Sequence, residues 1–305
     1  MIQRFLSLPA HTLHRAIFML ASVTLIMLTP YIDLLSFEMQ ALLLGMFVLI
    51  LGMPHGALDP LLAQRFGADL SSPPKKMGFY LTYLGISGLA LVFWFLFPVY
   101  ALLAFLVISI VHFADDWDDT LPRWLRLFAG TALITHPCYF FPEEVETIFS
   151  FLTFGADTSR LVDAFMFLEI PVCAVLYTGI AARYFRKPIV GISLIEIVLI
   201  HFLAAIFTPL VYFIIYFCGL HSIRHYIDSV ADLKAAGFST SRIISTIEII
   251  TIATAVLMGL AFFFSSDISL EQNVIRVVFI ALFALTVPHM FLLGWIKMAG
   301  QRPYR

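Results

Sequence analysis

Five histidines lie near the ends of long apolar segments, and four of them belong to three pairs of polar residues spaced by four positions. The pairs are His55 with Asp59, His112 with Asp116, and His221 with His225, and the fifth histidine, His289, follows a proline in VPHM. Positions i and i+4 lie on one face of a helix, so each pair predicts a two-residue polar patch. Imidazole is the commonest metal ligand, and three or four neutral imidazoles suit Fe, Zn, Cu or Ni.

We expect two carboxylates to assist such a metal site. A carboxylate one helical turn from a histidine can orient the ligating ring through a hydrogen bond, or it can bind the metal itself. Asp59 and Asp116 have this spacing. The neighbouring Asp115, Asp118 and Asp119 predict a solvated loop, because only Asp116 has the helical phase of the preceding histidine.

The other histidines and one arginine receive structural interpretations. His11 and His14 precede the first apolar segment, which predicts an interfacial position for both. His136 and His201 are expected toward the outer side of the membrane in the topology described below. Arg224, between two of the candidate ligands, is predicted to face lipid headgroups.

The composition requires a membrane environment. The 305 residues are 61% hydrophobic and only 12% charged, with a mean hydropathy of +0.96. A water-soluble domain of this composition would expose far too much apolar surface. The apolar runs are continuous, without the alternation of a membrane β-barrel, so the predicted fold is an all-α, polytopic membrane helix bundle. A net charge of −2 gives no indication of a nucleic-acid partner. Cys138, Cys173 and Cys218 lack CxxC spacing and predict core residues, with no disulfide or zinc site.

Apolar stretches of about 20 residues predict about ten membrane-spanning helices, within a range of roughly eight to ten. The predicted spans are 16–35, 39–58, 78–97, 98–117, 123–141, 161–183, 189–208, 209–228, 243–264 and 274–296. Tight turns are expected at Pro98 and Pro209, since the residue before proline resists helix. Segment 142–160 is too polar to span, which predicts a loop with a short interfacial helix.

The distribution of basic residues gives an independent test of this topology. With ten spans and both termini in the cytoplasm, every Lys and Arg except Arg160 and Arg276 falls on the cytoplasmic side. Cytoplasmic loops of membrane proteins carry such an excess, and one missed span would invert every later loop. We therefore expect both termini to be cytoplasmic in a multi-pass protein of the cell membrane. A re-entrant pair at 189–208 and 209–228 would imitate the same count.

Helix geometry places the candidate ligands at a common depth. At about 1.5 Å per residue, His55 lies about 24 Å into its span, His112 about 21 Å, His221 about 18 Å and His289 about 22 Å. All four spans run from the outside inward, through a hydrocarbon core of about 30 Å. Four helices are therefore expected to bring histidines to one layer near the cytoplasmic face.

At these residues the chain resembles a known family. The segments GMPHGALDP, VHFADDW, CGLHSIRH and VPHM, in this order on a helical membrane chain, resemble the Brp/Blh family of β-carotene 15,15′-dioxygenases. The resemblance extends from about residue 50 to residue 295. It implies one membrane-embedded domain over residues 1–305, with a catalytic bundle at 38–297 and an N-terminal span at 1–37 as an extension relative to shorter members.

The resemblance also implies a reaction and a ligand set. It implies an iron-dependent membrane enzyme that splits β-carotene with O₂ at its central double bond to give two all-trans-retinal molecules. By motif, the four histidines that bind Fe(II) in the family correspond to His55, His112, His221 and His225. His289 corresponds to a further proline–histidine element and is expected to support a ligand or to bind the metal as well. No catalytic side chain beyond the metal centre is implied.

Three alternatives stay open at this point. Another membrane histidine–metal oxygenase, such as a lipid desaturase or hydroxylase, typically has more histidines, including HxxHH clusters, and no adjacent histidines occur here. A proton-coupled transporter with His and Asp relay groups would spread its titratable residues through the membrane. A retinal- or carotenoid-binding protein without a metal is favoured by a lysine inside a span, whereas Lys297 lies at a span end.

The predicted depth of the histidines also bears on the substrate. A carotene that spans the bilayer holds its central bond near the midplane, whereas the histidine layer is expected nearer the cytoplasmic side. We therefore expect the substrate to lie tilted or flat in an apolar tunnel near the cytoplasmic leaflet.

Overall fold

Helices make up the architecture, as the sequence predicts. The computed structural model describes the backbone of residues 10–185, 190–265 and 268–298, and the side chains of His55 and of residues 190–192 lie outside the described part. No strand occurs in these ranges. The first eight helices are α1 (Ala10–Met27), α2 (Thr29–Ile32), α3 (Phe37–Phe47), α4 (Met53–Gly56), α5 (Asp59–Arg65), α6 (Pro73–Leu96), α7 (Pro98–Phe113) and α8 (Arg123–Phe140). The others are α9 (Pro142–Leu152), α10 (Ser159–Tyr184), α11 (Val190–Ile206), α12 (Pro209–Phe213), α13 (Ile223–Ala235), α14 (Thr240–Phe264) and α15 (Leu270–Met298).

Seven helical segments in the described part are long and apolar enough to cross a membrane. They are Ala10–Met27, Pro73–Leu96, Pro98–Trp117, Ser159–Tyr184, Pro209–Ala235, Thr240–Phe264 and Leu270–Met298. The other three predicted spans correspond to the shorter segments Phe37–Gly52 and Ser193–Ile206 and to α8, which begins with polar residues. The multi-pass helical fold is thus confirmed, while the count of ten and the sides of the termini stay predictions.

Two connections between helices turn at a proline, and a third contains a short amphipathic helix. Helices α7 and α12 begin at Pro98 and Pro209, where the chain turns sharply as predicted. The polar segment 142–160 contains α9, whose apolar side, including Ile148 and Leu152, is buried while its first turn carries Glu143 and Glu144. Acidic residues at a helix N-terminus interact favourably with the helix dipole.

Helices α7 and α8 approach each other closely at a glycine. A Cβ atom on Gly130 of α8 would lie 2.3 Å from the carbonyl oxygen of Ile110 on α7. Only a residue without a side chain permits this approach. Because His112 follows Ile110 by two residues, the contact fixes the position of the first candidate ligand.

Two apolar clusters divide the core, and the candidate ligands lie between them. The larger cluster includes Leu220 and Phe283, and the smaller includes Leu233 and Leu292. His225 lies between Leu220 of the first cluster and Leu233 of the second, and His289 lies between Phe283 and Leu292 along α15. Polar side chains here are enclosed by packed apolar residues on both sides.

Helix α1 packs onto the bundle and buries His14, while the interfacial position expected for this residue stays a prediction. His14 is 6% exposed, and its Nε2 lies 3.0 Å from the carbonyl oxygen of Gly219. His11 pairs with Asp228 on α13. Gly219 belongs to a π-helical turn, Ile214–Ser222, so His14 connects α1 to this turn.

Candidate metal centre

Three histidines from α7 and the α12–α13 region converge on one buried point. The ligand atoms of His112, His221 and His225 all lie within 4.8 Å of one another. The ring centroid of His112 is 4.5 Å from that of His221 and 5.1 Å from that of His225. All three side chains are buried. The common layer predicted for these histidines is therefore present.

The ring of His289 can be placed relative to these three histidines, whereas the ring of His55 cannot. The backbone of His55 belongs to α4, but its side chain lies outside the described part, so its predicted ligand role stays a prediction. The ring centroid of His289 lies 5.2 Å from that of His112 and 6.4 Å from that of His225. His289 thus joins the same layer from α15.

The distance between two imidazoles fits a shared ion. Nε2 of His112 and Nε2 of His221 are 3.0 Å apart. An imidazole nitrogen binds a metal ion at about 2.1 Å, so two donors on one ion at roughly a right angle are separated by about 3 Å. Neutral imidazoles that converge in this way are the donor set of Fe, Zn, Cu or Ni sites. The residues present therefore fit a metal ion.

Asp116 orients one of these rings. Nδ1 of His221 lies 3.0 Å from Oδ1 of Asp116, and both side chains are completely buried. An ionised carboxylate can only accept, so Nδ1 carries the proton and Nε2, which faces His112, keeps its lone pair. The Tyr216 hydroxyl donates to Oδ2 of Asp116 at 2.6 Å and holds the carboxylate in place.

His289 on α15 has the same arrangement of carboxylate and tyrosine as His221. Nδ1 of His289 lies 2.8 Å from Oδ1 of Asp59. The Tyr83 hydroxyl donates to Oδ2 of Asp59 at 2.8 Å. By the argument applied to His221, Nδ1 of His289 carries the proton, which is the tautomer that presents Nε2 to a metal.

The carboxylates serve histidines of other helices, which differs from the interpretation based on spacing. Helix α7 ends at Phe113, and residues Ala114–Trp117 form a 3₁₀ turn. Each residue of a 3₁₀ helix advances roughly 120° rather than roughly 100°, so Asp116 rotates away from the α-helical phase and contacts His221. Likewise α4 ends at Gly56 and Asp59 begins a new helix, where it contacts His289.

Two π-helical turns lie next to the site. Val48–Gly52 precedes α4, and Ile214–Ser222 contains His221. These turns pack against each other, and a Cβ atom on Gly52 would lie 2.9 Å from the ring of Phe217. π-Helical turns are rare and occur frequently at functional sites. Here the longer one carries His221 to the layer and passes into α13, which carries His225.

Arg224 is buried, so its predicted exposure to lipid headgroups is wrong. The guanidinium donates to the backbone carbonyl of Asp116 at 2.7 Å and to Oε2 of Glu196 at 2.8 Å. Trp117 donates to the other oxygen of Glu196 at 2.9 Å. A buried charge needs a partner of opposite charge, and Glu196 supplies it. This ion pair fixes the 3₁₀ turn that positions Asp116.

The acidic run after α7 is only partly a solvated loop. Asp115 pairs with Arg126 and Lys297, and Asp119 pairs with Arg15. Partial burial raises the pKa of the Asp118 carboxyl above its ordinary value. These pairs connect the end of α7 to three other helices.

An apolar cavity leads to the histidine layer. A space of about 110 Å³ lies beside α7 and is lined by residues of α7, α8, α9, α12 and α15. A smaller space of about 20 Å³ reaches His112. The two share Phe105, Ser109, Phe113 and Phe213. Apart from a few hydroxyl and thiol groups, the lining is hydrocarbon and aromatic.

The cavity and the space at His112 extend along α7. The lining runs along α7 from Leu102 to His112, which is about 15 Å of helix. The space therefore follows α7 toward α9. The predicted depth of the histidines in the membrane and the predicted tilted or flat position of the substrate stay predictions.

Several residues of the site were missed in the sequence. Tyr83, Tyr216 and Glu196 occur singly in apolar segments, Trp117 lies within the acidic run after α7, and no spacing predicts their partners. Their partners lie on other helices, so only the fold brings them together. Glu196, an acidic residue inside a predicted span, was the one available indication.

Two comparisons with known proteins identify the family of the chain. The sequence model of a family described as beta-carotene 15,15′-dioxygenase matches residues 46–297. A protein named beta-carotene 15,15′-dioxygenase, from uncultured marine bacterium 66A03, is 31% identical over 261 residues, which cover 82% of this chain and 91% of that protein. No solved structure matches the chain. The match extends over every candidate ligand, and the chain belongs to the β-carotene 15,15′-dioxygenase family.

Proposed function

We propose that this protein is a membrane-embedded iron dioxygenase that splits the central double bond of β-carotene with O₂ to give two retinal molecules. The observation that carries the proposal is the continuity of lining between the apolar cavity and the space at His112. A polyene without polar groups needs such a path to reach a polar centre. The name of the relative from the marine bacterium supports carotenoid cleavage.

His55, His112, His221 and His225 would hold the iron. The mutual distances of the last three support this assignment. His289 is a further candidate, because Asp59 holds its Nδ1 as Asp116 holds that of His221. Imidazole alone does not select iron over zinc or copper, so the choice of Fe(II) depends on the dioxygenase family. When bound, the iron would supply the activation of O₂.

The protein's own contribution is orientation and exclusion of water. Asp116 and Asp59 contact the Nδ1 atoms of His221 and His289, so each ring is oriented with Nε2 as the donor available to a metal. The surrounding rings of Phe113 and Phe217 lie 4.9 and 5.7 Å from the ring of His221. These aromatic walls exclude water from the reacting bond.

The cavity would select the bond that is cut. β-Carotene has no polar group by which the protein could anchor it. The position of its central bond therefore depends on how far the polyene enters the tunnel. The cavity holds only part of such a molecule, and the remainder would extend past α9 or between helices into the lipid. Entry from the bilayer suits a substrate that is insoluble in water.

The first test is expression in cells that accumulate β-carotene. We expect loss of the orange colour and formation of retinal, with iron in the purified protein. His221→Ala and His55→Ala should abolish both retinal formation and iron binding. His11→Ala removes an imidazole that lies outside the histidine layer and should retain both.

Two outcomes would contradict the proposal. Full retinal formation in His221→Ala and His55→Ala would exclude the metal assignment. Retained colour in cells with well-expressed wild-type protein, together with stoichiometric zinc, would indicate a different reaction.

A further inference from the structure

A second group of metal-binding side chains lies between α8, α10 and α11. His136, Cys173 and His201 offer ligand atoms within 4.8 Å of one another. The two imidazole rings lie 4.0 Å apart between centroids, at an interplanar angle of 34°. His136 and His201 are each 6% exposed, and Cys173 is half-buried. None of these residues belongs to the histidine layer described above.

A carboxylate lies inside this group. Oε1 of Glu169 is 2.5 Å from Nδ1 of His136 and accepts from the Cys173 thiol at 2.9 Å. The Thr135 hydroxyl donates to Oε2 of Glu169 at 2.5 Å. The four potential donors are therefore two imidazole nitrogens, one sulfur and one carboxylate oxygen. Zinc sites use this combination of ligand types.

The charge of Glu169 needs an explanation. The buried Glu196 pairs with Arg224 and Arg15. For Glu169, no Lys or Arg side chain lies within ion-pair distance among the residues that the structure describes. An uncompensated carboxylate inside a membrane-spanning helix is costly. A proton on Glu169, a protonated His136 or a bound cation would remove this uncompensated charge.

The surroundings of His201 favour the cation. The Tyr177 hydroxyl lies 2.5 Å from Nδ1 of His201 and fixes the orientation of the ring. A histidine that binds a metal through one ring nitrogen typically makes a hydrogen bond through the other. An ion pair of His136 with Glu169 alone would not require His201 to stack on His136 or Cys173 to lie beside both.

We infer that His136, Glu169, Cys173 and His201 form a second metal site that binds Zn²⁺ or a similar borderline divalent ion. Binding releases the Cys173 proton to solvent, and the thiolate, the carboxylate and the dication together are neutral. Four protein donors leave no open position, which is typical of a structural site. The ion would clamp α8, α10 and α11 together. The expectation that all three cysteines are core residues then fails for Cys173.

Cobalt provides a direct test, because Co²⁺ bound to a thiolate gives a charge-transfer absorption in the near ultraviolet. The candidate iron site contains only imidazoles among its proposed ligands, so this band would report the second site alone. The full-length protein in detergent is stripped with a chelator and titrated with Co²⁺. We expect the band to saturate at about one equivalent of Co²⁺ in His221→Ala and within two equivalents in the wild type, whose stripped histidine layer also takes up Co²⁺, and the band should form even if the proposed carotenoid reaction proves wrong.

Matched cysteine variants separate the site from nonspecific thiols. Cys173→Ser should remove the band and one equivalent of Zn²⁺ per chain, whereas Cys138→Ser should retain both. Cys138 is a suitable control because it is buried in the core of the same helix bundle and donates to the carbonyl of Ile134. If Cys173→Ser does not accumulate, His201→Gln serves as the second variant and should weaken Co²⁺ binding by about tenfold or more.

The absence of a thiolate band in the wild type at saturating Co²⁺ would overturn the inference. So would a band that survives Cys173→Ser. In either case a proton on His136 or on Glu169 would account for the buried carboxyl group.

Discussion

Oδ1 of Asp116 lies 3.0 Å from Nδ1 of His221, a residue 105 positions away on another helix. The Tyr216 hydroxyl completes a chain of tyrosine, carboxylate and imidazole that is buried throughout. Such a chain fixes both the tautomer and the rotation of the ring. The position of Nε2 relative to His112 is thus set before any ion binds.

The first prediction concerns this carboxylate. Asp116→Asn replaces a charged acceptor by a neutral amide that accepts the Nδ1 proton less strongly. We expect metal affinity to fall by about 10–100-fold, measured by competition with a chelator. Asp119→Asn is the matched control, because Asp119 follows in the same segment and its side chain is 58% exposed. Unchanged affinity in Asp116→Asn would show that the carboxylate does not support the ligand.

The second prediction tests whether His289 is a ligand. Asp59 holds His289 as Asp116 holds His221, so Asp59→Asn should lower metal affinity to a similar extent if both rings bind the ion. Tyr83→Phe removes only the hydroxyl that donates to Asp59 and should have a smaller effect in the same direction. If Asp59→Asn leaves metal affinity unchanged while Asp116→Asn lowers it, His289 is not a ligand.

The histidine layer could be predicted from sequence because helices are regular. A rise of about 1.5 Å per residue is enough to place His112, His221 and His289 at similar depths in a membrane of known thickness. The closeness of His221 and His225, predicted from their HxxxH spacing, is present for a similar reason. His221 lies near the end of a π-helical turn and His225 in the first turn of α13, and their ring centroids are 4.6 Å apart.

The partners of the carboxylates could not be predicted in the same way. The i+4 rule assumes an uninterrupted α-helix, whereas the chain changes helix type at Ala114 and begins a new helix at Asp59. Arg224 illustrates a second limit. Its burial depends on Glu196, which lies 28 positions earlier on α11, and a single sequence contains no signal for that contact.

The third prediction concerns the ion pair of Arg224 and Glu196. Arg224→Leu leaves Glu196 buried with only the more distant Arg15, at 3.7 Å. Removing one member of a buried pair typically costs about 3–5 kcal/mol, so we expect a large loss of thermal stability in detergent. The double variant Arg224→Leu/Glu196→Leu removes both charges and should recover part of that loss. A double variant less stable than the single one would contradict the assignment of Glu196 as the neutralising partner.

The fourth prediction concerns the close approach of α7 and α8. In Gly130→Ala, the new methyl group would overlap the carbonyl of Ile110, which is backbone and cannot rotate away. We expect a destabilisation of about 1–3 kcal/mol and a weaker metal site, because the displaced segment carries His112. Gly85→Ala on α6 meets nothing within 4 Å and should be neutral or slightly stabilising. Equal unfolding temperatures for the two variants would show that the helices do not touch here.

The fifth prediction separates the cavity from the metal. Ser109 lines both the apolar space and the pocket at His112, so Ser109→Phe should block the passage between them. We expect retinal formation to fall by about 100-fold while the metal content is unchanged, because the substrate can no longer place its central bond at the site. Val107→Phe adds comparable bulk on the same helix at a residue that is 50% exposed, and it should retain activity. Loss of metal together with activity in Ser109→Phe would instead indicate that the substitution distorts α7. Normal retinal formation in Ser109→Phe would mean that the substrate reaches the histidines by another route.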